Sequence, residues 1–129
     1  MSQSAFAQSA YTRAMIATAG PRAIEAEAFE KINAEMLRAS RNQGADHPAY
    51  VRALSRNLSL WTILAADVAR SDNPLPENTK AMIWKIAAFV RRRTQELMQA
   101  GASADVAALI EINMNMIAGL RPEQQGDPA

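Results

Sequence analysis

Residues Leu58–Ala69 read Leu-Ser-Leu-Trp-Thr-Ile-Leu-Ala-Ala-Asp-Val-Ala, a segment that is apolar on most sides of a helix. One face of that helix carries Leu58, Trp61, Ala65 and Val68. Leu60 and Ile63 point to nearly the opposite side. A helix with apolar residues on several faces is typical of a central element that packs against several neighbours or against a partner. The segment is too short, and too interrupted by Asp67, to cross a bilayer.

The composition indicates one globular domain and argues against several classes of protein. The chain has 129 residues, of which 49% are apolar, so it can build a core without disulfides or metal. Its formal charge is +1, from 14 basic and 13 acidic residues, which argues against a nucleic-acid-binding or membrane-surface protein. The absence of cysteine fits a cytoplasmic location. We predict no secretory signal at Met1–Gln8 and no transmembrane helix.

The two ends of the chain differ in composition from its centre. Residues 1–19 are rich in Ser, Gln and Ala with a weak helical pattern, so we predict an N-terminal arm that docks on the bundle or on a partner. Residues 121–129 are polar and contain Pro and Gly, which predicts a disordered tail. The predicted domain is therefore a helical bundle spanning residues 20–120.

Start and stop signals divide this domain into four helices joined by short loops. Asp46 is the predicted N-cap of the second helix, and prolines suit the first turns of the first and third. The other signals are Pro21, Gly44, Ser71–Pro74, Pro76, Gly101, Ser103 as an N-cap, Gly119 and Pro122. Short loops favour antiparallel neighbours. The fold class that we predict is all-α, a small up-and-down bundle.

Each predicted helix carries an apolar stripe at three-four spacing. In the first helix the stripe is Ile24, Ala28, Ile32 and Met36, flanked by Phe29 and Ala39; in the second it is Val51, Leu54, Leu58, Trp61, Ala65 and Val68. The predicted structural core is Leu54, Leu58, Trp61, Val68, Ile83, Ile86, Val90, Leu109, Asn113, Met116 and Leu120. Asn113 interrupts the fourth stripe. A buried Asn fixes register when it finds a partner, and Asn57 is the candidate.

Catalysis is poorly supported by the sequence, and we predict no enzyme, no metal site and no cofactor. The single histidine, His47, precedes a proline in a predicted turn, where a capping or solvated role is ordinary. There are no His or Cys sets at metal-ligand spacing and no Gly-rich phosphate loop. Arg52, Arg56 and the run Arg91–Arg93 could bind an anion or RNA, but a solvated face is the simpler interpretation.

Some apolar residues lie away from the predicted stripes. Trp84 lies far around the third helix from its stripe, with Ala81 and Ala88 on the same side. Leu60 and Ile63 lie off the stripe of the second helix. One interpretation is that the arm or the first helix covers these residues. The other is an exposed groove that accepts an amphipathic helix from a partner, for which the seven methionines would suit an adaptable surface.

Four groups of residues complete the pattern along the chain. They are Pro21-Arg22-Ala23-Ile24-Glu25; Asn57 with Leu60-Trp61 and Asp67; Leu75-Pro76 with Ala81 and Ile83; and Leu109-Ile110-Glu111-Ile112-Asn113 with Ile117 and Gly119-Leu120. Taken together and in this order, they resemble the FlaF family, the flagellar biosynthesis regulators of alphaproteobacteria. One departure is Met114, where the family pattern has a basic residue.

The resemblance implies a cytoplasmic, all-helical, non-enzymatic protein that promotes flagellin production and export. It implies flagellin as the partner and an opposing FlbT-type regulator on the same pathway, and it provides no catalytic residues to transfer. Together with the spare apolar surface, it predicts a chaperone-like protein that holds an amphipathic segment of flagellin. We weigh two alternatives: post-transcriptional control through RNA or an FlbT-type protein, and a homodimeric scaffold.

Overall fold

The structure, a computed structural model, describes residues 26–42, 44–100 and 105–120. Within these residues the chain forms four helices: α1 (Ala26–Arg41), α2 (His47–Val68), α3 (Glu77–Ala100) and α4 (Ala107–Leu120). The described residues contain no strand. The prediction of a small all-α bundle is therefore confirmed. The arm at residues 1–19, the tail at residues 121–129 and the signals at Pro21, Gly101 and Ser103 lie outside the described residues.

Helices α1 and α2 form an antiparallel pair whose register is visible in two contacts. Phe29 meets Trp61 edge to face, with ring centroids 5.6 Å apart and an interplanar angle of 66°. Further along α1 but earlier in α2, Glu35 and Arg56 form an ion pair. The turn between the helices ends at the predicted N-cap, because the backbone N–H of Ala49 donates to Asp46 Oδ1 at 3.1 Å.

Helix α3 packs against α2 after a turn that is organised by Asn73. The buried Asn73 donates through Nδ2 to Asp67 Oδ2 at 3.1 Å, and its Oδ1 accepts from the backbone N–H of Leu75 at 3.0 Å. Because the side chain bridges the end of α2 and the approach to α3, it satisfies turn groups that would otherwise be desolvated. The inner stripe of α3 is Thr79, Ile83, Val90, Thr94 and Leu97, all of them buried.

Helix α4 packs mainly against α1, whereas α3 packs mainly against α2. Two pairs give its direction: the charge of Asp105, just before α4, acts on the pKa of Tyr50 near the start of α2, and Trp61 hydrogen-bonds to Asn113. Both residues of the second pair are further along their helices, so α4 runs parallel to α2. The directions alternate along the chain as in an up-and-down bundle. Among the described residues, α3 and α4 share little contact, so the bundle is open on that side.

The core matches the predicted residues except in the phase of two stripes. Of the predicted set, Leu54, Trp61, Val68, Ile83, Val90, Leu109, Asn113 and Met116 are buried, and Leu58, Ile86 and Leu120 are half-buried against the core. On α2, Asn57 and Leu64 are buried, whereas Val51, Leu58 and Ala65 are only half-buried. The predicted stripe is therefore confirmed at Leu54, Trp61 and Val68 and wrong at its other three positions, because α2 turns the edge carrying Asn57 inward.

A similar shift occurs on α1. The predicted flank residue Phe29 is fully buried, while Ala28 and Ile32 of the predicted stripe are half-buried. Phe29 is larger than either, and its ring packs on Trp61, so burying it removes more apolar surface from water. The helix therefore rotates to place Phe29 and Met36 inward.

Candidate functional site

A polar network crosses the interior of the bundle and joins three of its helices. The indole Nε1 of Trp61 donates to Asn113 Oδ1 at 2.8 Å. Asn113 Nδ2 donates to Asn57 Oδ1 at 2.7 Å and to Asn33 Oδ1 at 3.0 Å. Asn33 Nδ2 in turn donates to the carbonyl of Ile110 at 3.1 Å. Both amide hydrogens of Asn113 are therefore used, and α4 is fixed to α1 and α2 at one register.

This network gives the buried Asn113 a structural role. The predicted pairing of Asn113 with Asn57 is confirmed, and both side chains are fully buried. Asn33 was not predicted, because a single polar residue beside an apolar stripe looks the same whether it is solvated or bonded. Asn57 Nδ2 has no partner in the described part of the chain. That desolvated donor weakens the network.

The outer face of α3 carries an exposed apolar strip. Ala81, Trp84 and Ala88 follow one another at three-four spacing, and all three are exposed. We call these three residues the α3 outer stripe. Trp84 leaves 54% of its surface in solvent, which is a high fraction for the largest apolar side chain. Helix α1 therefore does not cover this tryptophan, and the N-terminal arm, the other cover considered from the sequence, lies outside the described residues.

Positive charge flanks the α3 outer stripe. Lys85 and Arg91 are exposed and have no carboxylate within 4 Å in the part of the chain that the structure describes. Arg92 is also exposed, and its guanidinium lies 5.6 Å from the centroid of the Phe89 ring. Arg93 is closer to the ring, at 5.1 Å, and its Nε donates to Glu96. Among the described residues, Lys85, Arg91 and Arg92 thus have no carboxylate partner and can meet acidic groups of a partner protein.

The α2 part of the predicted site divides in two. Ile63 is 66% exposed, whereas Leu60 is half-buried and packs against the core. Ile63 lies five residues before the end of α2, and Trp84 lies seven residues after the start of α3. At a rise of about 1.5 Å per residue, both lie at similar heights above the turn. The hairpin of α2 and α3 therefore exposes large apolar side chains on both helices, with Leu60 mainly in the core.

Two further exposed apolar residues were missed by the sequence prediction. Leu37 on α1 is 41% exposed and Met114 on α4 is 59% exposed. The signal for Met114 was its place after the buried Asn113, since the next residue of a helix points about 100° further around the helix axis. Leu37 likewise follows the buried Met36, and the extent of its exposure depends on how far α1 rotates to bury Phe29.

The residues considered for chemistry do not converge. His47 is the exposed first residue of α2, with its ring centroid 6.2 Å from that of Tyr50. Arg56 is paired with Glu35, while the arginines of α3 belong to another helix. Across the described ranges, no group of three His, Cys, Asp or Glu side chains could hold a metal ion. None of the described helices is long and apolar enough to cross a membrane.

Comparison with known proteins identifies the family. The family described as "Flagellar protein FlaF" matches residues 7–120, which includes all four helices. No curated protein and no solved structure matches the chain. The matched range covers most of the 129 residues and contains the buried network and the α3 outer stripe. The chain therefore belongs to the FlaF family of flagellar proteins.

Proposed function

We propose that this chain is a non-enzymatic, cytoplasmic regulator that binds flagellin as a chaperone and promotes its synthesis and secretion. The family membership supports a role in flagellum biogenesis. The observation that carries the binding role is Trp84, which is 54% exposed at the centre of the α3 outer stripe. An exposed tryptophan between small apolar neighbours is typical of an anchor that inserts into a partner.

The proposed occupant is an amphipathic terminal segment of flagellin. Before assembly such a segment lacks its filament partners, so its apolar face is exposed and prone to aggregate. As a helix it would lay this face on the α3 outer stripe, where Ala81 and Ala88 permit close approach beside Trp84. Acidic groups along its edge would pair with Lys85 and Arg91, which contributes mainly to orientation and association rate.

This binding also offers a route to regulation. A chain that holds flagellin before export removes it from the pool that feeds back on its own translation. If the chain instead bound an opposing FlbT-type regulator, it would also relieve the feedback on flagellin translation. Both routes require a protein–protein surface, which is the property that the exposed apolar side chains of α2 and α3 supply.

Calorimetric titration with purified flagellin tests the proposal. We expect saturable binding by the wild-type chain and at least about tenfold weaker binding by Trp84→Ala. Leu37→Ala is the matched control, because it truncates another exposed apolar side chain on a different helix. It should change the affinity by less than about twofold.

Three results would contradict the proposal. One is the absence of binding to either flagellin or the FlbT-type protein. A second is equal loss of affinity in Trp84→Ala and Leu37→Ala, which would show that Trp84 is no anchor. A third is binding to flagellin leader RNA that weakens steeply with salt and depends on Arg91 and Arg92 but not on Trp84, which would instead support RNA recognition.

A further inference from the structure

A concave surface lies between α1 and α2, on different helices from the α3 outer stripe. It is an open cleft of about 430 Å³, formed by the C-terminal half of α1 and the N-terminal half of α2. This volume falls within the usual range for ligand pockets, about 300–1,000 Å³. It is also close to the volume of about one turn of helix with its side chains. The cleft can therefore take a short piece of chain.

Small side chains create the cleft. Ala39 on α1 and Ala49 and Ala53 on α2 line it, and none of them reaches across the space between the two helices. Ala53 is buried and the other two are half-buried, so their methyl groups present a shallow apolar surface. Larger residues at these positions would fill the space, which makes the cleft a consequence of the sequence at three positions.

Some of the charged side chains that line the cleft have partners among the described residues, and others have none. Glu35 pairs with Arg56, and Asp46 accepts the backbone N–H of Ala49 at the start of α2. Arg38 on α1 and Arg52 on α2 line the cleft and have no carboxylate within 4 Å among the described residues. Two guanidinium groups from the two walls therefore remain available to an anionic ligand, and each can bind a carboxylate through two hydrogen bonds.

We propose that this cleft binds a short acidic peptide segment, with Arg38 and Arg52 each holding a carboxylate and the alanine methyl groups contacting small apolar side chains between them. A peptide is favoured over RNA because no aromatic residue lines the cleft to stack on a base. The chain also has a net charge of only +1, which provides little general attraction for a polyanion. This site is independent of the flagellin-binding role of Trp84.

A nuclear magnetic resonance titration tests the site on the full chain. The probe is an acetylated and amidated hexapeptide of alternating Glu and Ala, compared with inorganic phosphate and with hexauridylate. We expect saturable shifts of the backbone amides of Ala39, Ala49 and Ala53. The double variant Arg38→Gln/Arg52→Gln should weaken peptide binding by about tenfold or more.

Two further variants distinguish binding of the peptide in the cleft from nonspecific electrostatic attraction to the protein surface. Arg91→Gln/Arg92→Gln removes the same charge from α3 and should change the affinity by less than about twofold. Ala49→Leu keeps both cleft arginines but fills the space between the helices, and it should weaken binding about as much as the loss of the arginines. Retained folding of each variant is visible in the dispersion of the same spectra.

The proposal is overturned by any of four results. The peptide could fail to saturate these amides below about 10 mM. The charge-matched α3 variant could weaken binding as much as the cleft variant. Ala49→Leu could leave the affinity unchanged. Phosphate or hexauridylate could bind these amides at least as tightly as the peptide, which would identify a general anion or RNA site.

Discussion

The two tryptophans of the chain occupy opposite environments. Trp61 is 1% exposed, packs edge to face on Phe29 and donates its indole N–H to Asn113. Trp84 is 54% exposed and lies on the outer face of α3. Trp61 therefore contributes to the fold through both its apolar area and its polar atom. Trp84 leaves most of its apolar area in water, where folding gains little from it and binding could gain more.

The surroundings of the two residues sharpen this contrast. Around Trp61, hydrogen bonds among three asparagines join α1, α2 and α4, so these helices can align along their axes in only one register. On the exposed face of α3 that carries Trp84 lie Ala81 and Ala88, with the exposed Lys85 and Arg91, all on one helix. A region that fixes register tolerates little change, whereas a region of exposed side chains can change without unfolding. Stability and partner binding should therefore respond to substitutions in different parts of the molecule.

The largest expected effect is on Trp61. Trp61→Ala removes a buried ring, leaves a cavity against Phe29 and strands the Asn113 carbonyl oxygen. It should lower the free energy of unfolding by about 3–5 kcal/mol, measured by urea denaturation followed by circular dichroism. Trp84→Ala is the matched comparison and should change stability by less than about 0.5 kcal/mol. Equal losses in the two variants would remove the distinction between the two environments.

The second effect is on the polar network itself. Asn113→Ala leaves the Trp61 N–H without an acceptor and the Asn57 and Asn33 oxygens without their donor. We expect a loss of about 2–3 kcal/mol in the free energy of unfolding, measured by the same denaturation experiment. Asn115→Ala is the control, because among the described residues the Asn115 side chain bonds to the carbonyl of Glu111 within its own helix. A loss in Asn115→Ala as large as in Asn113→Ala would contradict the network's role.

The third effect concerns the charges beside Trp84. Lys85→Glu/Arg91→Glu reverses two cations that have no carboxylate partner in the described residues, so the fold should be nearly unaffected. Flagellin binding should weaken by about 1 kcal/mol at low salt, and the difference from wild type should shrink as salt screens the charges. Surface plasmon resonance at two ionic strengths measures this. A difference that does not depend on salt would exclude charge pairing at this face.

The smallest effect is on Tyr50, which is buried with no partner for its hydroxyl among the described residues. Burial, and to a smaller extent the charge of Asp105, raises the pKa of Tyr50 above its ordinary value. The unfolded chain therefore loses this proton first, so the stability that this effect provides is present below about pH 10 and is lost as pH rises through the higher folded pKa.

Tyr50→Phe tests that assignment. At neutral pH it should change the free energy of unfolding by less than about 1 kcal/mol, because no hydrogen bond is lost. Above about pH 10 the variant should lose less stability than the wild type, measured by urea denaturation across the pH range. An equal decline in both proteins would show that another group titrates.

The sequence predicted the helices and part of the interior well because those features depend on local chemistry. Asp46 begins α2 as predicted, and the three-four spacing of apolar residues marked each described helix. Asn113 was predicted to be buried because it interrupts an apolar stripe. Asn57 was predicted to be its partner because it lies beside the apolar stripe of the second helix. Local spacing thus carried enough information to pair two residues that are 56 positions apart.

The phase of the stripes could not be predicted in the same way. On α2, two overlapping sets of residues have three-four spacing, and only contact with α1 and α4 turns Asn57 and Leu64 inward. The exposure of Trp84 was one of two open interpretations, since it depends on what packs against α3. The α1–α2 cleft had no sequence signal, because three alanines at ordinary core spacing do not show whether the opposite helix fills the space.

The central claim is that Trp84, and not Trp61, meets flagellin. The chain has two tryptophans, so 5-fluorotryptophan labelling gives two fluorine resonances, which Trp84→Phe assigns. When unlabelled flagellin is added, the account predicts that the Trp84 resonance shifts or broadens to saturation while the Trp61 resonance keeps its position. Movement of neither resonance, or of the Trp61 resonance alone, would contradict the account.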